Sequence, residues 1–160
     1  CKYSTLCAVE LPPSGIAGEI LFADSQTAYE DLDRETKDRI EHLVVVHCNL
    51  HKGRLPAPEL FRGANVHNWA VSRWRFVSAR EETNRKSLYV TSYMYSFDGK
   101  TREESKPLLT TLLDHVNQPK YALTVEWRNP GDMVMWDNKA VLHRATDGSG
   151  YRGIYRRDIR

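Results

Sequence analysis

The sequence predicts a mainly β fold, with a β-sandwich or jelly-roll core and α-helices packed outside it. Segments such as "KYSTLCAVEL" (2–11) and "YALTVEW" (121–127) alternate apolar and polar residues, and turns that contain Pro and Gly interrupt the strands. Stretches with helical spacing lie between these strands. A chain of 160 residues with 41% hydrophobic and 28% charged residues is long enough for one domain with a buried core. We therefore expect a single domain over residues 1–160.

Charge and cysteine content argue against several classes of function. The formal net charge is only +2, so neither nucleic acid nor a membrane surface is an expected partner. The three cysteines form neither a disulfide framework nor a CxxC pair, which favours a reducing, cytoplasmic compartment. The longest apolar run, "LVVV" (43–46), is too short for a membrane helix. Both ends, at Cys1 and Arg160, fall in strand-like sequence, so we expect a domain truncated at both ends.

The N-terminal half reads as strand, helix, helix and a long irregular segment. "ILFAD" (20–24) predicts a strand, Ser25 is the expected cap of a short helix, and Asp33 is the expected cap of a second helix. Residues 52–84 have several Pro and Gly residues and weak periodicity, which is typical of a lid or binding loop. The predicted buried faces are Ala28, Tyr29 and Leu32 in the first helix and Ile40, Leu43, Val44 and His47 in the second.

The next segments predict a strand over "SLYVTSYMY" (87–95) and a third helix. Thr101 and Glu104 have the spacing of a capping box, but Pro107 then lies deep in the helix. A start at Ser105 places the proline in the first turn, where its missing N–H costs little, and is the start we predict. The predicted buried face of this helix is Leu108, Leu109, Leu112, Leu113 and Val116.

The stretch "NPGDMVMWDNKAVLHRAT" (129–146) reads as a turn and two short strands joined by "DNK". Residues 133–136 are expected to fill a sheet interior, and His143 emerges where the second strand reaches the mouth of a barrel. A neutral imidazole there suits Fe(II), although the pattern alone favours a hydrogen-bonded core histidine. His47 and His51 are four residues apart and could share a helix face, but we interpret them as solvated or capping residues.

This stretch closely resembles the C-terminal motif of the taurine / 2,4-dichlorophenoxyacetate dioxygenase family of iron(II)- and 2-oxoglutarate-dependent oxygenases. Further matches follow in the family's order, and they are "KYSTLCAVELPPSG", "LFADSQTAYEDL", "RKSLYV" and "LLTTLLDHVNQPKYALTVEWRNPGD". The middle segment (about 52–84) matches least. The resemblance implies a double-stranded β-helix (jelly-roll) core. It also implies that residues 52–84 form a loop at the active-site mouth.

The resemblance assigns roles to individual residues. His143 matches the distal histidine of a two-histidine-one-carboxylate iron site, whose His-x-Asp partner is expected about ten residues before Cys1. The chain itself then supplies one ligand of three. Trp136, Asp137 and Asn138 match the family's "WDN" turn and are expected to position the strand that carries His143.

The co-substrate 2-oxoglutarate is expected to bind through an arginine near the C-terminus. Arg157 matches that position, with Arg156 as the alternative if the register slips by one residue. From the residues alone, these arginines could equally guard a solvated edge strand. The family commonly has a threonine that also binds the 2-oxoglutarate carboxylate, and here Ile20 takes its place and cannot donate a hydrogen bond.

The resemblance implies a dioxygenase that uses Fe(II) and 2-oxoglutarate to oxidise a C–H bond of a small, anionic, organic-acid-like substrate, with release of succinate and CO₂. It leaves a homo-oligomer open. The alternative is a catalytically inactive jelly-roll relative that binds or scaffolds without a metal site, which Ile20 and the missing His-x-Asp favour. A cupin-type metalloenzyme shares the barrel but offers no counterpart for the C-terminal arginines.

Overall fold

The computed structural model describes residues 2–11, 18–48, 50, 59, 62–63 and 69–145. These residues form a mainly β protein with three α-helices and one 3₁₀ helix, as the sequence predicted. The strands are β1 (Tyr3–Cys7), β2 (Ile20–Asp24), β3 (Val44–His47), β4 (Ser72–Arg75), β5 (Val77–Ala79), β6 (Lys86–Leu88), β7 (Met94–Phe97), β8 (Ala122–Val125), β9 (Met133–Asp137) and β10 (Val141–Ala145). The helices are α1 (Ser25–Glu30), α2 (Arg34–Ile40) and α3 (Arg102–Val116), and the 3₁₀ helix is Pro119–Tyr121. None of the helices in the described ranges has the length and apolar character needed to cross a membrane.

The strands pair antiparallel in four small sheets, in the orders β1–β9, β10–β2–β8, β4–β3–β7 and β5–β6. The consecutive strands β9 and β10 lie in different sheets, so the turn between them does not close a hairpin. The N–H of Asn138 instead donates to the carbonyl of Lys2, and the carbonyl of Ala140 accepts from the N–H of Ser25. The turn therefore carries the chain from the β1–β9 sheet to the β10–β2–β8 sheet.

The hydrophobic core lies between these sheets and α3. Phe76 and Phe97 meet edge to face at its centre, with ring centroids 5.5 Å apart. The predicted leucine face of α3 is confirmed, because Leu109, Leu112 and Val116 are buried. Other core residues are Ala23, Ala28, Tyr29, Ile40, Val45, Val77, Leu88, Val90 and Tyr121.

The strand β9 contributes less to the interior than predicted. Met133 and Met135 are 68% and 70% exposed, whereas Val134 and Trp136 are half-buried. The expectation that residues 133–136 all fill a sheet interior is therefore wrong. Side chains alternate across a strand, so only every second residue of β9 can face inward.

The first two helices begin at aspartate caps. The carboxylate of Asp24 accepts hydrogen bonds from the N–H groups of Gln26 and Thr27, so Asp24 caps α1. The prediction that Ser25 is the cap is therefore wrong. Ser25 is buried and donates to the carbonyl of Ala140, 2.8 Å away. Asp33 caps α2 as predicted.

The second helix ends at Ile40, earlier than its apolar pattern suggested. Val44 and His47 belong to β3, which pairs with β4 on one side and β7 on the other. The run of β-branched valines at 44–46 disfavours helix and suits a strand bonded on both edges. The prediction of His47 on a helix face, solvated or capping, is therefore wrong, and His51 lies outside the described residues.

The third helix begins one turn before the predicted start. Thr101 and Glu104 form a complete capping box, so Ser105 lies inside α3 and Pro107 lies in its interior. The reciprocal bonds of the capping box satisfy donors that a start at Ser105 would leave open, which offsets the one helical bond that Pro107 cannot make.

The predicted loop at residues 52–84 contains two strands, β4 and β5, within its described part. Phe76 is fully buried between them, whereas Trp74 is 54% exposed. Phe61 and His67, two further aromatic residues of this segment, lie outside the described residues. Residues 72–79 are thus sheet and core rather than loop.

Candidate active site

A cavity of about 360 Å³ opens beside β10. Its walls come from β2, from β10 and the turn before it, from the segment 89–93 between β6 and β7, and from the end of α3. The lining is mostly apolar and neutral polar, with one imidazole and one guanidinium. The lining residues are Leu21, Phe22, Ala23, Tyr89, Val90, Thr91, Ser92, Tyr93, Leu113, Asn117, Ala122, Asn138, Val141, Leu142, His143 and Arg144.

His143 lies at the centre of β10, directly opposite Phe22 of β2 in the antiparallel register. Its imidazole is half-buried and lines the cavity. Two aromatic rings surround it, Trp136 at 4.7 Å and Phe22 at 6.2 Å between centroids. Phe22 and Trp136 also meet each other edge to face at 5.3 Å. Aromatic packing therefore restricts the orientation of the imidazole.

The turn before β10 is held by side-chain hydrogen bonds. The indole Nε1–H of Trp136 donates to Oδ1 of Asn138, 2.9 Å away, and Nδ2 of Asn138 donates to Oγ of Ser4, 2.6 Å away. Oδ1 of Asp137 accepts from the N–H of Lys139 at 2.8 Å. The turn is thereby tied to β1, and Trp136 is fixed against the imidazole of His143.

Ile20 is 5% exposed at the start of β2, where the resemblance leads one to expect a threonine. It lies on the same face of β2 as Phe22, because residues two apart in a strand share a face. Its neighbours across the sheet are Val125 and Ala145. An apolar side chain at this position offers no hydroxyl to a carboxylate ligand.

His143 lines the cavity, and an imidazole is a ligand type that divalent transition metals accept. The described part of the chain contains no group of three or more His, Cys, Asp or Glu residues that could hold a metal by themselves. The described residues therefore fit a metal through a single imidazole and not as a complete ligand set. Arg156 and Arg157, the predicted 2-oxoglutarate ligands, lie outside the described residues.

His47 is the one fully buried histidine among the described residues. It is 8% exposed on β3 and does not line the cavity. Burial lowers the pKa of His47 to about 4, and the nearby backbone of Val45 offsets only part of that effect. Its ring contacts the ring of Tyr89, whose centroid is 5.0 Å away and which lines the cavity. His47 thus lies behind the cavity wall as a neutral imidazole.

The segment Tyr89, Val90, Thr91, Ser92 and Tyr93 is the part of the site that sequence reasoning missed. The prediction treated residues 87–95 as one strand. The structure instead has two strands in different sheets, β6 that ends at Leu88 and β7 that begins at Met94. The N–H of Tyr93 donates to Oγ1 of Thr91 at 3.1 Å, a local bond that favours a turn. The sequence signal for this interruption was Thr91 and Ser92, two hydroxyl residues within a mostly apolar run.

The fold is that of the jelly-roll dioxygenases. The crystal structure of AAD-2 in complex with Mn(II) and N-oxalylglycine matches with a TM-score of 0.80 and 32% identity, over 92% of this chain and 53% of that one. The crystal structure of a taurine dioxygenase from Burkholderia xenovorans matches with a TM-score of 0.72 and 26% identity, over 90% of this chain and 45% of that one. The predicted fold class is confirmed.

The chain belongs to the taurine catabolism dioxygenase TauD, TfdA family, whose model matches residues 1–159. It is 33% identical to the alpha-ketoglutarate-dependent 2,4-dichlorophenoxyacetate dioxygenase of Burkholderia sp. (strain RASC), over 99% of this chain and 52% of that protein. It is 34% identical to the (S)-phenoxypropionate/alpha-ketoglutarate-dioxygenase of Sphingobium herbicidovorans, over 87% of this chain and 50% of that protein. The chain spans about half the length of the curated relatives that it matches.

Proposed function

We propose that this protein is an Fe(II)- and 2-oxoglutarate-dependent dioxygenase that oxidises a C–H bond of a small organic acid and releases succinate and CO₂. Family membership supports the class of reaction. The observation that carries the proposal to this chain is His143, a half-buried imidazole that lines the cavity and packs on Trp136. An imidazole held by a neighbouring ring is preorganised for metal ligation.

Four described residues of the site have a proposed task. His143 is a ligand that presents one imidazole nitrogen to the metal, and Phe22 and Trp136 restrict the rotation of its ring. Asn138 fixes the indole through the bond from Trp136 Nε1–H. When bound, Fe(II) would supply the activation of O₂ that the protein's own side chains cannot provide.

The cavity lining supports a small-molecule substrate. Tyr89 and Tyr93 offer aromatic surface and hydroxyl groups, Thr91 adds a further polar group, and Arg144 provides a positive charge. A volume of about 360 Å³ falls within the usual range for small-molecule pockets. Relatives named as dioxygenases of 2,4-dichlorophenoxyacetate and (S)-phenoxypropionate support an acid with an aromatic ring as the first substrate to try.

Arg157 is proposed to hold the distal carboxylate of 2-oxoglutarate, with Arg156 as the alternative. The proposal comes from the family resemblance, since both residues lie outside the described part of the chain. Arg157→Ala in the intact protein should raise the KM for 2-oxoglutarate strongly and leave Fe(II) affinity nearly unchanged, because a guanidinium pairs with carboxylate and not with metal. Arg156→Ala tests the alternative register and should have the smaller effect on the KM for 2-oxoglutarate. An equal loss of Fe(II) and 2-oxoglutarate binding in Arg157→Ala would make Arg157 structural.

The decisive test is anaerobic titration of the intact protein with Fe(II) and then 2-oxoglutarate, followed by charge-transfer absorption. Succinate formation is then measured in air with 2,4-dichlorophenoxyacetate and a panel of other small acids. His143→Ala should abolish the absorption and the succinate, and His42→Ala, which changes an exposed histidine on the surface, should preserve both. A wild-type protein that binds neither Fe(II) nor 2-oxoglutarate would instead be the inactive relative.

A further inference from the structure

Asp137 is a buried carboxylate at the start of the turn that leads to β10. Its side chain is 8% exposed, and its Oδ2 lies 3.1 Å from Nη2 of Arg80, whose side chain is 22% exposed. No donor in the described ranges makes a well-aligned hydrogen bond to this oxygen. The Arg80 guanidinium therefore stabilises it as a counter-charge. A buried carboxylate that loses its counter-charge is strongly destabilised, and Arg80 is the cation that pairs with Asp137 among the described residues, so the position of Asp137 depends on Arg80.

Arg80 is itself held by its backbone at the base of the β5–β6 hairpin. Its N–H donates to the carbonyl of Arg85 at 2.9 Å, and its carbonyl accepts from the N–H of Asn84 at 2.7 Å. Its Nε lies 3.7 Å from a carboxylate oxygen of Glu82, which also pairs with Lys2. The backbone of Arg80 is therefore fixed, and its guanidinium lies between the carboxylates of Glu82 and Asp137.

The contacts close into a ring that includes the turn. The backbone carbonyl of Lys2 accepts from the N–H of Asn138 at 2.9 Å, while its ammonium pairs with Glu82. Starting from Arg80, the ring passes through Asp137 and Asn138 and returns through Lys2 and Glu82. Two sequence-distant segments, the hairpin and β1, thus hold the same turn from two sides.

Through the turn, the contact between Arg80 and Asp137 affects the position of side chains beside the cavity. Asp137 lies between Trp136 and Asn138 in sequence, and these two side chains share the hydrogen bond from the indole Nε1–H. Asn138 lines the cavity, and the indole packs against His143 with centroids 4.7 Å apart. A displaced Asp137 would shift both neighbours, and hence the ring that orients His143.

We propose that Arg80 is a positioning residue for His143, acting through Asp137 and the Trp136–Asn138 hydrogen bond. The proposal rests on the proposed function for the role of His143 as a metal ligand, whereas the positioning is a property of the chain alone. Arg80 does not line the cavity and touches no reacting group. Its effect is to keep one orientation of the imidazole populated before any ligand binds.

The test compares four variants with the wild type in the intact, metal-free protein, and the fourth of them is Arg80→Lys. Arg80→Gln removes the cation and leaves Asp137 buried without it. Arg80→Gln combined with Asp137→Asn removes both charges and so removes the unpaired carboxylate. Arg85→Gln is the matched control, because Arg85 belongs to the same hairpin and pairs with Glu30 of α1, and among the described residues its side chain makes no contact with the turn. The readouts are hydrogen exchange of the Trp136 indole N–H and the NMR signals of the His143 imidazole, followed by titration with Mn(II).

Arg80→Gln should accelerate exchange of the indole N–H roughly tenfold, move the His143 signals and weaken Mn(II) affinity by roughly tenfold to a hundredfold, the usual effect of losing a residue that orients a ligand. The double variant should recover most of these losses, and Arg85→Gln should show none. Arg80→Lys should show a smaller effect, because the charge remains but the planar fork is lost. If Arg80→Gln does not fold, the Arg80→Lys comparison decides.

Unchanged indole and His143 signals in the Arg80 variants would overturn the proposal, as would an Arg85→Gln variant with the same changes. A wild-type protein that does not bind Mn(II) would contradict the proposed function instead. In that case the indole and imidazole signals still decide whether Arg80 positions His143, so the two failures are distinguishable.

Discussion

The indole of Trp136 packs on the imidazole of His143, with ring centroids 4.7 Å apart and planes inclined by 52°. The two residues sit on β9 and β10, in different sheets, and the turn between these strands brings them together. Neither strand alone defines the orientation of the imidazole. The pair links the strand that carries the candidate ligand to the hydrogen-bonded turn that precedes it.

Two substitutions of Trp136 separate packing from hydrogen bonding. Trp136→Ala removes a ring that contacts both Phe22 and His143, and should lower the free energy of unfolding by about 3 kcal/mol and shift the His143 NMR signals. Trp136→Phe keeps an aromatic ring but loses the bond to Asn138, which should cost about 1 kcal/mol. Urea unfolding measures both, and equal losses would mean that the hydrogen bond, not the packing, dominates.

His47 should make the stability of the protein depend on pH. Its pKa is lowered from 6.5 to about 4 by burial, so the unfolded chain takes up a proton where the folded chain does not. The free energy of unfolding is then fully retained above about pH 6.5 and falls as the pH drops from there toward 4, by up to about 3 kcal/mol. Urea unfolding across this range measures the slope.

The controls for this prediction are glutamine variants. His47→Gln should flatten the slope between pH 6.5 and 4 because it removes the titrating group. His42→Gln changes an exposed histidine and should leave the slope as it is. A slope that survives in His47→Gln would assign the pH dependence to other groups.

Ser105 should contribute more to the free energy of unfolding than an exposed serine in a helix does. It is fully buried, its Oγ accepts from the N–H of Phe97 at 2.9 Å, and it donates to the carbonyl of Thr101 at 2.8 Å. Ser105→Ala leaves the N–H of Phe97 without this acceptor, so the free energy of unfolding should fall by about 2 kcal/mol. Thr111→Ala removes a similar bond to the carbonyl of Pro107 on an exposed surface, and should cost less than about 0.5 kcal/mol. Thermal or urea unfolding that shows equal losses would contradict this account.

Phe76 and Trp74 should respond very differently to truncation. Phe76 is fully buried against Phe97, so Phe76→Ala should destabilise the protein by about 4 kcal/mol. Trp74 is 54% exposed on β4, and Trp74→Ala should cost about 1 kcal/mol or less. Urea unfolding gives both values. A small loss in Phe76→Ala would mean that residues 72–79 contribute little to the core, as a surface loop would.

Most of the local structure follows from residues that are close together in the chain. The strands predicted at "ILFAD" and within "YALTVEW", the Asp33 cap and the leucine face of α3 are local features, and the structure contains each of them. The position of His143 on a strand beside the cavity followed in the same way, and the family resemblance attached a metal to it. These features depend on residues that are neighbours in the chain, which is the range over which propensity and periodicity act.

Tertiary pairing decided what local patterns leave open. Val44 and His47 continue the apolar pattern of α2, but β4 and β7 bond to them from both sides and make them a strand. The turn after β9 looks like a hairpin in sequence, but hydrogen bonds to Lys2 and Ser25 send the two strands into different sheets.

The same holds for the support of the candidate site. Arg80 meets Asp137 from 57 positions away in the sequence. Such a contact depends on how the hairpin and the turn pack and on the cost of burying a carboxylate alone. The sequence around Arg80 or Asp137 does not predict this contact, because spacing along the chain does not determine which distant cation pairs with a buried carboxylate.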